Sequence, residues 1–165
     1  MKFSVAYLLI LTLAFGGCLY SFKGGSVPPH LKTLSIPLFD DQSGQGEPGL
    51  RETFTNKLID SFRQDNSLQL SDRAHADAVL EGTIQSISSS PLVVTTGETL
   101  AKQRLTITVK VMYEDMKMKK TIYDKQFSDY GDYDASGGVS QRQVAISAAL
   151  DKLTQEILND TVSGW

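Results

Sequence analysis

Downstream of residue 30 the apolar positions follow two different periods, and each change of period marks an element. In Thr33 to Phe39 every second residue is apolar, so Leu34, Ile36 and Leu38 are expected on one face of a first strand. Pro37 has no donor for a ladder and places that strand at an edge or points its missing donor outward. After Pro48, which suits a first helical turn, Leu50, Phe54, Leu58 and Phe62 recur at a strict spacing of four, with Ile59 beside them. That stripe predicts an amphipathic helix ending near Asp65-Asn66. Leu68 to Leu70 reads as a short second strand and Ala78 to Ile87 as a third, in which Leu80 and Ile84 share a face around Gly82. Ser88-Ser89-Ser90-Pro91 is expected to break it.

Arg104 to Glu114 carries the clearest alternation: Leu105, Ile107, Val109, Val111 and Tyr113 point one way, Thr106, Thr108, Lys110 and Met112 the other. One face of this strand should pack on a core and the other stay wet. Thr121 to Ser128 reads as its hairpin partner across a tip at Asp115 to Lys120, and Asp129 to Gly138 as a loop. A last helix is predicted over Val139 to Asp160, with Ile146, Ala149, Leu150, Leu153 and Ile157 as its stripe. The order β-α-β-β-β-β-α predicts an α+β fold. The economical burial is a two-layer sandwich, two amphipathic helices packed on one face of a four- to five-stranded mixed sheet.

The start of the chain follows another rule. Lys2 precedes an almost wholly apolar run, Val5 to Phe15, and Gly16-Gly17 lead into Cys18, the single cysteine of the chain. A basic start, a short apolar run and small residues before a processing point read as an export signal, and the run falls short of the 20 or so residues that span a bilayer. The order resembles a bacterial lipobox, with Phe15 where Leu is usual. The expectation is a signal peptide over residues 1–17, a lipidated linker over 18–30 opening on an acylated Cys18, and a domain over 31–165. Several acyl chains on one cysteine hold it to a membrane lastingly, where a single chain would not.

Charge narrows the function. The 16 Lys and Arg fall to 15 with the loss of Lys2, against 19 Asp and Glu, a balance of −4. No nucleic-acid partner is expected of so acidic a chain. The two histidines, His30 and His75, stand in predicted loops without further ligands at metal spacing, and no serine sits in a nucleophile elbow. Gly44-Gln45-Gly46 lacks the P-loop lysine, and the acids of Asp129 to Asp134 lack calcium-loop spacing. No enzyme, metal or cofactor is therefore expected. Two stretches read as surfaces. The tip lysines Lys117, Lys119 and Lys120, extended by Lys102 and Arg104, offer charge to an anionic headgroup or a phosphorylated glycolipid, or else serve solubility. Leu92, Val93 and Val94 lie in a long connection, either tucked onto the domain edge or against a partner.

Cys18-Leu19-Tyr20-Ser21-Phe22 followed by Pro29 to Phe39, then the helix Leu50 to Phe62 and Ala76-Asp77-Ala78-Val79-Leu80-Glu81-Gly82-Thr83-Ile84, resemble the LptE-type lipopolysaccharide-assembly lipoproteins. Leu19 stands where that family often has Gly, and the C-terminal third agrees in pattern only. The resemblance implies a non-enzymatic outer-membrane lipoprotein facing the periplasm. It would plug and help assemble the LptD β-barrel and contact lipopolysaccharide on its way to the surface. Ile36 to Gly44 also resembles the strand-turn of curli-secretion-type (CsgG-like) and TolB-like domains, which would imply a scaffold or secretion component instead.

Overall fold

Strand β5, Lys102–Asp115, is the axis of the molecule, and the computed structural model describes residues 27–92 and 102–164 around it. Its alternation is realised in full: Leu105, Ile107, Val109, Val111 and Tyr113 are all buried, while Thr106, Thr108 and Met112 are half-buried and Lys110 exposed. β4, Ala78–Pro91, and β6, Lys120–Asp134, flank it antiparallel along its whole length. β1, Thr33–Ser35, lies parallel to both β4 and β3, Gln69–Leu70. β2, Asp40–Asp41, pairs parallel with the middle of β4. The sheet is mixed and six-stranded, in the order β3-β1-β4-β5-β6 with β2 beside β4.

Helices α1, Leu50–Asp65, and α2, Gly138–Ser163, contribute the other layer of one core. α1 buries Leu50, Phe54, Leu58 and Phe62, the stripe of four. It ends at Asn66, whose left-handed backbone (φ 59°) turns the chain while its N–H donates to the Phe62 carbonyl. α2 buries Ile146, Ala149, Leu150, Leu153 and Ile157. The expected two-layer α+β sandwich is the fold, with one strand more than the range foreseen.

Three expectations of local structure change. The first strand does not reach Phe39: it stops at Ser35, and the alternation breaks at Pro37, which cannot extend a ladder. Leu38 is therefore 52% exposed, and Phe39, 1% exposed, takes the core position. The Phe39 ring meets Phe54 edge-on at 5.1 Å and fills the space above Gly82, where a Cβ would lie 2.2 Å from it. The Phe39 N–H donates to the Thr55 hydroxyl at 3.0 Å, pinning linker to helix.

β4 runs through the serines to Pro91. Ile84 and Ile87 are three residues apart and both face the core, which a regular strand forbids. A bulge between Ile84 and Ser86 absorbs the extra residue, and β5 supplies the ladder that the Ser-rich sequence would not specify alone. β6 likewise continues through Asp129 to Asp134, which had read as a loop. There Gly131 lies under α2, where a Cβ would stand 2.0 Å from the Ala145 carbonyl oxygen and 2.7 Å from its Cα. Backbone cannot give way as a flexible side chain can. Gly131→Ala is expected to cost about 1–3 kcal/mol by overpacking, read as a lowered urea midpoint. An unchanged midpoint would mean that α2 does not approach β6 this closely.

Candidate functional site

With both helices on one side, the opposite face of β4-β5-β6 carries no layer among the described residues. Its rows are polar: Ser88, Thr106 and Tyr130; Ser86, Thr108 and Ser128; Thr83, Lys110 and Gln126. The Thr108 and Ser128 hydroxyls lie 3.1 Å apart, and Lys110 pairs with Asp124 at 3.0 Å. A cleft of about 370 Å³ opens where Pro37 and Leu38 stand beside Glu81, Gly82, Thr83, Met112 and Asp124. Sequence reasoning missed it, because it put Leu38 in the core. The proline that ends β1 is the signal that could have found it.

The tip of the β5–β6 hairpin forms one pole. Lys117 already has partners in the domain: its Nζ pairs with Asp77 at 2.8 Å and donates to the His30 carbonyl at 2.8 Å. Asp77 also accepts from the backbone N–H groups of Lys32 and Thr33. The Lys117 hydrogen bond, with these backbone donors, outweighs desolvation and holds the Asp77 carboxyl down to about 2. Beside it Asp115 is buried, sits 2.6 Å from His30 Nε2 and accepts from the Met118 N–H. Burial pushes the Asp115 carboxyl up, but the Met118 N–H and His30 outweigh it and leave it below the usual range. This clasp of His30, Asp77, Asp115 and Lys117 ties the entry of the chain to the hairpin. Lys119 and Lys120 remain exposed, and Lys119 holds the turn with φ 53°.

Lys102 and Arg104 sit at the other end of β5. At about 3.4 Å per residue the two basic groups are about 40 Å apart, so they do not extend the tip surface as the sequence suggested. Arg104 makes a two-pronged pair with Asp132, at 2.8 and 2.9 Å, and stacks 3.5 Å over the Tyr130 ring. Lys102 is exposed and, like Lys119 and Lys120, has no ion pair among the described residues. Leu92 is half-buried, with its N–H donating to the Lys102 carbonyl at 2.8 Å. Val93, Val94 and Cys18 lie outside the described residues. The acids once weighed as a calcium loop are used otherwise: Asp129 pairs with Lys152, Asp132 with Arg104, and Asp134 caps Ser136. No metal-binding cluster occurs among the described residues, and none of their helices is long and apolar enough to cross a membrane.

The family model for LptE, lipopolysaccharide-assembly, matches residues 31–161. The chain belongs to the LptE family. No curated protein matches it. Among solved structures, protein XCC0632 of Xanthomonas campestris is similar with a TM-score of 0.60 at 13% identity, covering 83% of this chain and 90% of its own. CT253 of Chlamydia trachomatis gives 0.57 at 13%, covering 78% and 94%. A minor lipoprotein of Acinetobacter baumannii gives 0.50 at 15%, covering 79% and 91%. At these identities the likeness is one of fold, and it spans nearly the whole of each relative.

Because the folded Asp77 carboxyl lies below its ordinary value, its contribution to stability is complete above the unfolded value and fades as pH falls toward about 2. The half-exposed Lys117 ammonium is screened by water, which reduces the pair to about 1 kcal/mol. Lys117→Met should therefore lower unfolding stability by that amount near neutral pH, with the gap to the parent closing in strong acid. A gap independent of pH in urea titrations would assign the loss to the lysine stem instead.

Proposed function

We propose that this LptE-family chain is a non-enzymatic outer-membrane lipoprotein, moored through an acylated Cys18 and facing the periplasm. In that position it would plug and help assemble an LptD-like β-barrel and contact lipopolysaccharide in transit. The observation that carries the plug reading is the bare face of β4-β5-β6. A helix-backed sheet with one polar face can lie against the hydrated wall of an outer-membrane barrel without a large apolar interface. The acyl group would keep the domain beside its barrel and raise its effective concentration there.

The geometry also sorts the cations. With Lys117 held by Asp77 and Arg104 by Asp132, the candidates left for lipopolysaccharide phosphate are Lys102 at one pole and Lys119 and Lys120 at the other. Pull-down from detergent-solubilised membranes should recover a single large β-barrel. A homo-oligomeric ring of the chain alone would instead favour the secretion-scaffold reading. Reversing Lys102, Lys119 and Lys120 to Glu should weaken crosslinking to lipopolysaccharide while circular dichroism stays unchanged; full crosslinking would reject these contacts.

A further inference from the structure

The tip pole has two features that the plug reading leaves unused. Its turn carries Met116 and Met118, 40% and 67% exposed, interleaved with Lys117, Lys119 and Lys120. Turns are ordinarily built of small polar residues. Two solvated thioethers among ammonium groups suit an interface, where apolar side chains enter the acyl boundary and lysines meet phosphates. Of the acids beside the turn, Asp77 and Asp115 are engaged by Lys117 and His30, and Glu114, which accepts from the Thr121 hydroxyl, lies by Lys119 and Lys120 without an ion pair to either among the described residues.

The second feature is where the chain enters the domain. Val27 packs partly on the core, the Leu31 N–H donates to the Pro28 carbonyl, and His30 is held by both Asp115 and Lys117. The entry is thus fixed against the same turn. From Cys18 to Val27 the chain reaches at most about 30 Å, so a moored cysteine keeps this pole, rather than the Lys102 pole, near the bilayer.

We infer that the turn Met116 to Lys120 is a bilayer-contacting element, which seats Met116 and Met118 in the leaflet interface while Lys119 and Lys120 meet phospholipid phosphates. The inference rests on the acylation of Cys18 proposed above. Lipopolysaccharide presents the same chemistry, phosphate over an acyl layer, but the position of the entry selects the leaflet that holds the anchor. The clasp is then a device for orientation, setting the strands upright from the membrane.

The test uses the full chain, purified from membranes and reconstituted in vesicles of phosphatidylethanolamine and phosphatidylglycerol. A nitroxide is placed at Met118→Cys and, at the far pole, at Gln141→Cys. The label at 118 should be shielded from a water-soluble nickel complex and open to oxygen, with the label at 141 the reverse. Lys119→Gln with Lys120→Gln should abolish the shielding, since two lysines near an anionic leaflet are worth about thirty-fold in residence there. A label at 118 as open to nickel as that at 141 overturns the inference. So does shielding that appears only after lipopolysaccharide is added, which assigns the tip to glycolipid. The mass of the same preparation reports the anchor separately. Acylated protein with an open 118 label keeps the anchor and removes the tip contact; unmodified protein with a shielded label does the opposite.

Discussion

A sheet that buries one face must present the other, and in this protein β5 enforces that constraint. Its fully buried apolar side chains fall on alternate positions from Leu105 to Tyr113, so a one-residue slip would move the whole set to the wet face. α1 and α2 cover the apolar side with their buried stripes. Nothing in the helices remains to cover Thr106, Thr108 and Lys110. The polar face is a consequence of how the core is built.

The same constraint sets the ends of the sheet. Long β4, β5 and β6 stand side by side, so the hairpin tip and the Lys102 end become two separate poles. At one, Arg104 is used up by Asp132 and Tyr130; at the other, Lys117 is used up by Asp77 and His30. Each pole thus spends one cation on its own structure and exposes others. Charge expected on one surface from the sequence is divided by geometry between two poles, and at each between residues with an ion pair and residues without one among the described residues.

The elements with an unambiguous period were legible in advance: the stripe of four in α1, the alternation in β5, and the apolar stripe of α2. What misled were segments whose structure is imposed by a neighbour. Ser88 to Pro91 and Asp129 to Asp134 have loop-like composition, yet β5 offers each a full row of backbone partners, and that outweighs weak local preference. Leu38 and Phe39 exchanged places because alternation was carried through Pro37 as though the strand continued. The basic residues stand out in the sequence, but the partners of Lys117 and Arg104, namely Asp77, His30 and Asp132, lie 40, 87 and 28 positions away in the chain. No local pattern carries that information.

The clasp at the tip shows how a domain can inherit an orientation from its tether. A flexible linker alone fixes only a maximum distance, leaving the body free to turn beneath it. Once His30 is held by Asp115 and Lys117, the turn and the chain's entry move as one unit, and the linker's reach applies to a defined pole. With Cys18 acylated as proposed, β4-β5-β6 would stand upright from the anchored leaflet, their polar face turned sideways toward a barrel alongside. An orphaned tip would need its own reason for two exposed methionines; a tip fixed at the end that an acylated Cys18 would moor shares one with the clasp.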